Sequence, residues 1–180
     1  MFGPVLKGDR VTLRPADDSD PPRIVPWFAD MEVTRYLGRR TAVALYMEEE
    51  ILKKFGEADD TVFWMIEAAG ETIGATGIHA IDWQSRHGTT GIVIGEKGAW
   101  GKGYATEAMR LRTRYAFREL DLRKLMTEAF AENVASKRAL ERNGYTSVGI
   151  RREHFFTRGR WHDLWVGEVT RAEWERSQSP

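Results

Sequence analysis

The stretch Trp100-Gly101-Lys102-Gly103-Tyr104-Ala105-Thr106 carries the strongest chemical signal in the chain. Two glycines flanking one residue leave the backbone bare, so an anion can approach the peptide N–H groups unobstructed. If a helix starts at Tyr104, its first amides are unpaired and carry the positive end of the helix dipole. A pyrophosphate is the natural occupant of such a turn, and Lys102 adds a cation. An ordinary glycine-rich strand-to-helix turn has the same composition.

Two familiar phosphate loops do not fit. A Walker loop needs Ser or Thr after its lysine, whereas Gly103 follows Lys102 and Glu96 stands where the first glycine belongs. The dinucleotide fingerprint starts correctly at Gly101 and Gly103 but meets Thr106 in place of its third glycine. ATP by the first route and NAD by the second are therefore disfavoured. No His/Asp/Glu spacing suits a metal ion, so none is expected. The absence of cysteine removes thiol nucleophiles, disulfides and Cys-ligated zinc.

The elements that must position this loop can be read from periodicity. Val62 to Ala68 and Thr72 to Ile81 read as strands joined at Ala-Gly-Glu, and Thr89 to Gly95 as a third strand. After the loop, Tyr104, Ala108, Leu111 and Tyr115 share a helix face, flanked by Ala105, Met109, Ala116 and Leu120. Lys124 to Ala131 reads as a strand and Asn133 to Asn143 as a helix closed by Gly144. Two further strands fit Tyr145 to Arg152 and Trp161 to Val169. Earlier in the chain, Asp9 to Arg14 suits a half-buried strand, a short helical region carries Trp27 and Phe28, and Ala42 to Phe55 has helical spacing. Helices alternate with strands in the second half, which predicts an α/β (mixed α+β) architecture, a mixed sheet covered by helices.

At 180 residues the chain has the size of one domain, and no repeat or linker divides it; the sequence SQSP ends it as a polar tail. Basic and acidic side chains balance at 27 each, leaving no global field to hold a polyanion, so nucleic acid is not an expected partner. No apolar run approaches the ~20 residues needed to span a bilayer, and the first residues lack a signal peptide. A soluble cytoplasmic protein without a membrane partner is expected.

The loop resembles the phosphate loop of the GNAT acetyltransferase superfamily, Arg/Gln-x-x-Gly-x-Gly/Ala, except at its first residue. The run Trp100 through Ala108 is similar to the RimJ/RimL-type branch, the ribosomal-protein N-terminal acetyltransferases. So are Arg10-Val11-Thr12-Leu13-Arg14-Pro15, Trp27 with Glu32 to Leu37, Asn133-Val134-Ala135-Ser136, Leu140 to Tyr145, and Gly159-Arg160-Trp161-His162-Asp163. These stretches occur in family order from about residue 5 to residue 174.

The resemblance implies a twisted mixed sheet whose two central parallel strands, Thr89 to Gly95 and Lys124 to Ala131, splay to admit acetyl-CoA. Ile92, Val93 and Ile94 would then offer unpaired peptide groups to the pantetheine amides. It further implies direct transfer to a primary amine in a ternary complex. Asn133 would bind pantetheine, Ser136 would protonate the departing thiolate and Arg138 would approach the phosphates. From spacing alone Asn133 and Ser136 are equally well helix caps, and Arg138 a solvated arginine. The acidic residue many relatives carry near the start of the central strand is missing at His87, Gly88, Thr89 and Thr90. Glu153 is the replacement base if its strand continues past Arg152, or a surface partner of Arg151 or Arg152. Glu67, His79, Asp82 and Asp163 are further candidates. Trp27, Tyr36, Trp64, Trp83 and Phe155 are candidates for the acceptor groove, with Glu32 and the Glu48 to Glu50 cluster available to attract a cationic amine. The acceptor is expected to be a peptide or protein N-terminus, or alternatively a polyamine, amino acid or aminoglycoside. A homodimer is compatible with the pattern, and a non-catalytic acyl-CoA-binding module is the rival to the enzyme.

Overall fold

In the computed structural model, residues 1–38 and 41–178 are described; Ser179 and Pro180 of the polar tail lie outside them. The strands are β1 (Leu6–Lys7), β2 (Val11–Arg14), β3 (Val62–Ala68), β4 (Glu71–Asp82), β5 (His87–Ile94), β6 (Lys124–Phe130), β7 (Thr146–Thr157) and β8 (Arg160–Thr170). The helices are α1 (Pro21–Ala29), α2 (Leu45–Glu57), α3 (Tyr104–Arg118), α4 (Val134–Glu141) and α5 (Arg171–Gln178). All strands join one sheet in the order β1-β2-β3-β4-β5-β6-β8-β7, antiparallel except at β5–β6. The expected mixed sheet with helices on both faces is therefore present. Sequence periodicity missed the two-residue β1 and helix α5, and it stopped β7 five residues short because that strand carries bulges.

Alternation along the strands sends side chains to two apolar layers. Trp64 and Ile66 of β3 pack with Leu125, Phe117, Leu140 and Trp174 on the face covered by α3, α4 and α5. Met65 and Ala75 turn the other way, toward Ile24 and Trp27 of α1 and Leu52 of α2. Because β3 is buried on both sides it reads as a continuous apolar run rather than an alternating one.

The central feature is where β5 and β6 part. β5 pairs with β6 only from His87↔Lys124 to Thr90↔Thr127, yet stays on β4 as far as Gly74↔Ile94. β6 meanwhile stays on β8 as far as Phe130↔Leu164. Side chains occupy the fork. Thr127 Oγ1 donates to the Thr90 carbonyl (3.2 Å), and Thr90 Oγ1 donates to the Met126 carbonyl (3.1 Å). Arg112 of α3 donates through Nη1 to the Gly91 carbonyl (2.8 Å) and to Thr76 Oγ1 (2.6 Å), while Thr76 donates to the same carbonyl (2.8 Å).

A second anchor ties the head of α3 to β2. The buried Glu107 carboxylate accepts from the backbone N–H of Arg10 (2.9 Å) and of Val11 (3.4 Å), and from Arg10 Nε (3.2 Å). Burial alone would push this carboxyl up, but the backbone donors and Arg10 outweigh it and hold the group below the usual carboxylate range. A depressed folded-state pKa gives stability that is complete above the unfolded value and is lost as pH falls through the folded one. Glu107→Gln should therefore cost about 1–3 kcal/mol at pH 7. In urea titrations repeated at successively lower pH, the gap between wild type and variant should shrink below the carboxylate range.

Candidate active site

A cleft of about 820 Å³ runs through the fork. One half lies against α3 and α4. Gly101 (φ +74°) and Gly103 (φ +82°) are both left-handed, a conformation that glycine adopts without strain. Gly103 is the N-cap of α3, so no side chain caps that helix and its first-turn N–H groups face the cleft. Trp100, exposed beside them, donates from its indole to the Ile94 carbonyl (2.9 Å), fastening the loop to the end of β5. Ile92, Val93, Ile94, Trp100, Gly101, Gly103, Tyr104, Ala105 and Thr106 line the cleft as expected. Strand partners for Ile92 to Ile94 are missing on the β6 side alone, since β4 pairs with all three.

Asn133, Ser136 and Arg138 also line this half. Asn133 caps α4, its side chain accepting from the Ser136 N–H (3.1 Å), while the Ser136 hydroxyl has no protein partner among the described residues. Lys102 departs from expectation. Its side chain lies outside the lining, and its carbonyl instead accepts from Arg10 Nη1 (2.9 Å). Arg142, on the turn after α4, lines the cleft beside Arg138 and adds cationic charge there.

The other half opens toward the 3₁₀ turn Val33–Tyr36. Phe130 packs 5.7 Å from Tyr36 and stacks 5.3 Å from Phe155, giving an aromatic wall. Tyr36, Phe155 and Glu32 line it as expected, joined by Arg35, Glu128 and His79. Its carboxylates are paired: Glu32 with Lys97 (3.1 Å), which Asp30 shares at 2.8 Å, and Glu128 with Arg151 (2.5 Å). His79 keeps access to solvent, yet enough protein surrounds its ring that burial, followed by the charge of Arg112, pushes its pKa below the ordinary histidine value.

Several expected site residues lie elsewhere. Glu153 is exposed, outside the lining, at a bulge where β7 slips register between Arg151 and Phe155; its φ of +48° breaks the alternation that would have placed it beside Phe155. Trp27 is a core residue, buried against Gly95 and donating to Glu96 (2.8 Å). Trp64 is buried and Trp83 caps the Asp59 carbonyl (2.9 Å), so neither joins the groove. Glu67 pairs with Arg14, Asp82 receives the Ser85 N–H, and Asp163 receives the Glu153 N–H. Glu48 is buried in α2 and Glu49 and Glu50 are exposed, all outside the cleft. The sequence did hold a signal for Arg112. It fills the gap between Met109 and Ala116 in the stripe that flanks the main apolar face of α3, so its cation had to be buried or the stripe broken.

Residues 10–146 match the family model of the acetyltransferase (GNAT) domain. The chain belongs to the GNAT acetyltransferase family. It is 29% identical over 176 residues to "Uncharacterized N-acetyltransferase YoaA" of Bacillus subtilis, covering 95% of this chain and 98% of that one. It is 32% identical over 106 residues to the "Putative ribosomal N-acetyltransferase YdaF" of the same organism, covering 59% of this chain and 57% of the relative. Among solved structures, spermidine N-acetyltransferase from Vibrio cholerae in complex with CoA and spermine superposes with a TM-score of 0.87 at 22% identity, covering 93% of this chain and 99% of that one. The GNAT chain is thus an acetyl-CoA-dependent N-acetyltransferase, and the cleft residues fit that co-substrate: uncapped α3 amides and arginines for phosphates, and open peptide groups along β5 for amides. Among the described residues no cluster could hold a metal, and no helix is long and apolar enough to cross a membrane.

Gly103→Val places a branched residue at φ +82° and brings Cβ to 3.1 Å from Arg10 Nη2. The left-handed conformation then costs roughly 1–2 kcal/mol, and the side chain obstructs the anion's approach. Calorimetric CoA affinity, expected near the micromolar scale in the wild type, should fall at least about tenfold. Gly98→Ala, where a Cβ meets nothing within 4 Å, should leave it unchanged.

Proposed function

We propose that this N-acetyltransferase acts in the cytoplasm on the free α-amine of a peptide or protein N-terminus. The single observation carrying this is the acceptor half of the cleft, an aromatic wall whose carboxylates are already held by lysine and arginine. A polycationic acceptor needs free carboxylates to replace the water it gives up. Here Lys97 and Arg151 occupy them, and Arg35 stands nearby with no carboxylate partner among the described residues. An α-amine demands less. Its reference pKa is near 8 against about 10.4 for a lysine side chain, so a far larger fraction is nucleophilic at neutral pH. The relative YdaF is named a putative ribosomal N-acetyltransferase, which is compatible with a protein acceptor.

Acetyl-CoA supplies an activated acetyl thioester to this site. Asn133 and Arg138 serve to hold it, and Ser136, with its hydroxyl unengaged, serves as proton donor to the departing sulfur. Both substrates are held together, so positioning carries most of the rate.

Matched peptides test the acceptor, one with a free N-terminus and one blocked with an internal lysine. The free terminus should be acetylated faster at pH 7, with the gap narrowing toward pH 9.5; equal rates at pH 7, or polyamines outpacing both peptides, would move the acceptor to small amines. Ser136→Ala should lower kcat on the order of 10²-fold while changing CoA affinity far less.

A further inference from the structure

The cleft contains one imidazole. Among the described lining residues His79 is the only histidine, and neither a hydrogen bond nor an ion pair engages its ring. It sits on β4 opposite Thr89, with Gly77 opposite Gly91 one pair along on the same face of the sheet. That pair of glycines leaves the floor beside the ring bare. A Cβ built on Gly91 would lie 3.6 Å from His79 Cε1, so a larger residue there would fill the space next to the imidazole. Gly91 is also the first residue of β5 beyond its pairing with β6. His79 therefore stands where the acceptor half of the cleft meets the fork.

We propose that His79 is the proton acceptor for the incoming amine. This assignment rests on the N-acetyltransferase activity and is independent of which amine is the acceptor. The other basic groups around the site are engaged: Glu32 by Lys97, Glu128 by Arg151. His79 has an unengaged ring and opens to the cleft. Arg112 approaches from α3, Glu128 from β6 and Asp60 from the loop before β3. Burial and then Arg112 outweigh the two carboxylates and hold the ring below the ordinary histidine value, which favours the neutral form with a lone pair to offer.

The acceptor ammonium gives one proton to a ring nitrogen of His79, directly or through a water. The freed lone pair forms the C–N bond as the C–S bond breaks, the sulfur leaving with its bonding pair. The nitrogen loses a second proton and the sulfur gains one. In sum, one ammonium and one thioester become one amide, one thiol and one proton, which His79 releases to solvent. Arg112 contributes as a positioning residue in the electrostatic sense: after burial, its charge adds to what favours the unprotonated imidazole before the amine arrives.

The test compares wild type with His79→Gln and His79→Ala, using whichever amine from a panel of α-amine peptides, lysine peptides and polyamines the wild type acetylates fastest. At pH 7 kcat should fall about 10²-fold, with CoA affinity and urea midpoint unchanged. The deficit should shrink as pH rises and the amine deprotonates in solution, and added imidazole should restore part of the His79→Ala rate. A wild-type rate and pH profile in His79→Gln, or a loss that is the same at every pH, would overturn the assignment. The His79 ring resonance in the wild type, assigned by its absence in His79→Gln, gives an independent reading. Its titration midpoint is expected below the ordinary histidine value, and a midpoint above pH 7 would also overturn the proposal. If a polyamine proves the best acceptor, the α-amine reading fails while the His79 comparison proceeds unchanged.

Discussion

Two parallel strands that part inside a sheet leave peptide groups without partners, and a buried carbonyl stripped of its partner costs free energy. In this chain Gly91, the first residue of β5 past the fork, stands at that point. Arg112 and Thr76 both donate to its carbonyl, so the opening is held apart by a cation drawn up from α3. The guanidinium is almost fully buried, its Nε has no hydrogen-bond partner, and among the described residues no carboxylate pairs with it. An apolar side chain would be cheaper to bury but could not supply the donors. Arginine thus takes, at Gly91, the place of a strand partner, and the cleft opens beside it.

The two halves of the cleft divide the chemistry by the elements that build them. Helix starts and bare peptide groups gather on the α3 side, where anions and amides are bound. Aromatic rings and an imidazole gather on the side of the 3₁₀ turn, where an amine must shed water and a proton. Side chains from β4 to β6 reach one half or the other according to the pleat, so a single-residue slip would exchange the two sets. The run of close pairs on both sides of the fork makes such a slip costly.

Much of this was legible from sequence where one local rule governs. Gly101 and Gly103 were readable because only a left-handed turn needs both, and α3 because its apolar stripes repeat faithfully. The resemblance located the splay at strands that do splay. Glu153 leaves the expected face because it lies inside a bulge of two extra residues, where its φ of +48° turns it out of the alternation without a strong mark in the sequence. Trp27 and Lys102 suit a groove and a phosphate by type, but a neighbouring Gly95 gives Trp27 a place in the core, and Lys102 lies outside the lining with its carbonyl held by Arg10. Arg112 was overlooked among Arg110 and Arg114, since three alternate arginines on a helix look like a solvated surface until the apolar stripe is followed through them.

The tie between Glu107 and β2 has one more consequence. Arg10 reaches from that strand to the Lys102 carbonyl and lies over the Tyr104 ring at 5.6 Å, so strand, loop and helix start are stitched by one side chain. Opening the loop breaks the Arg10–Lys102 contact, made by the same residue whose amide, with that of Val11, is held by Glu107. Those two protons, an element away from any bound co-substrate, thus become reporters of loop opening through their exchange with solvent. Slower exchange of those amides with co-substrate bound would make the edge of the sheet a gauge of occupancy at its centre.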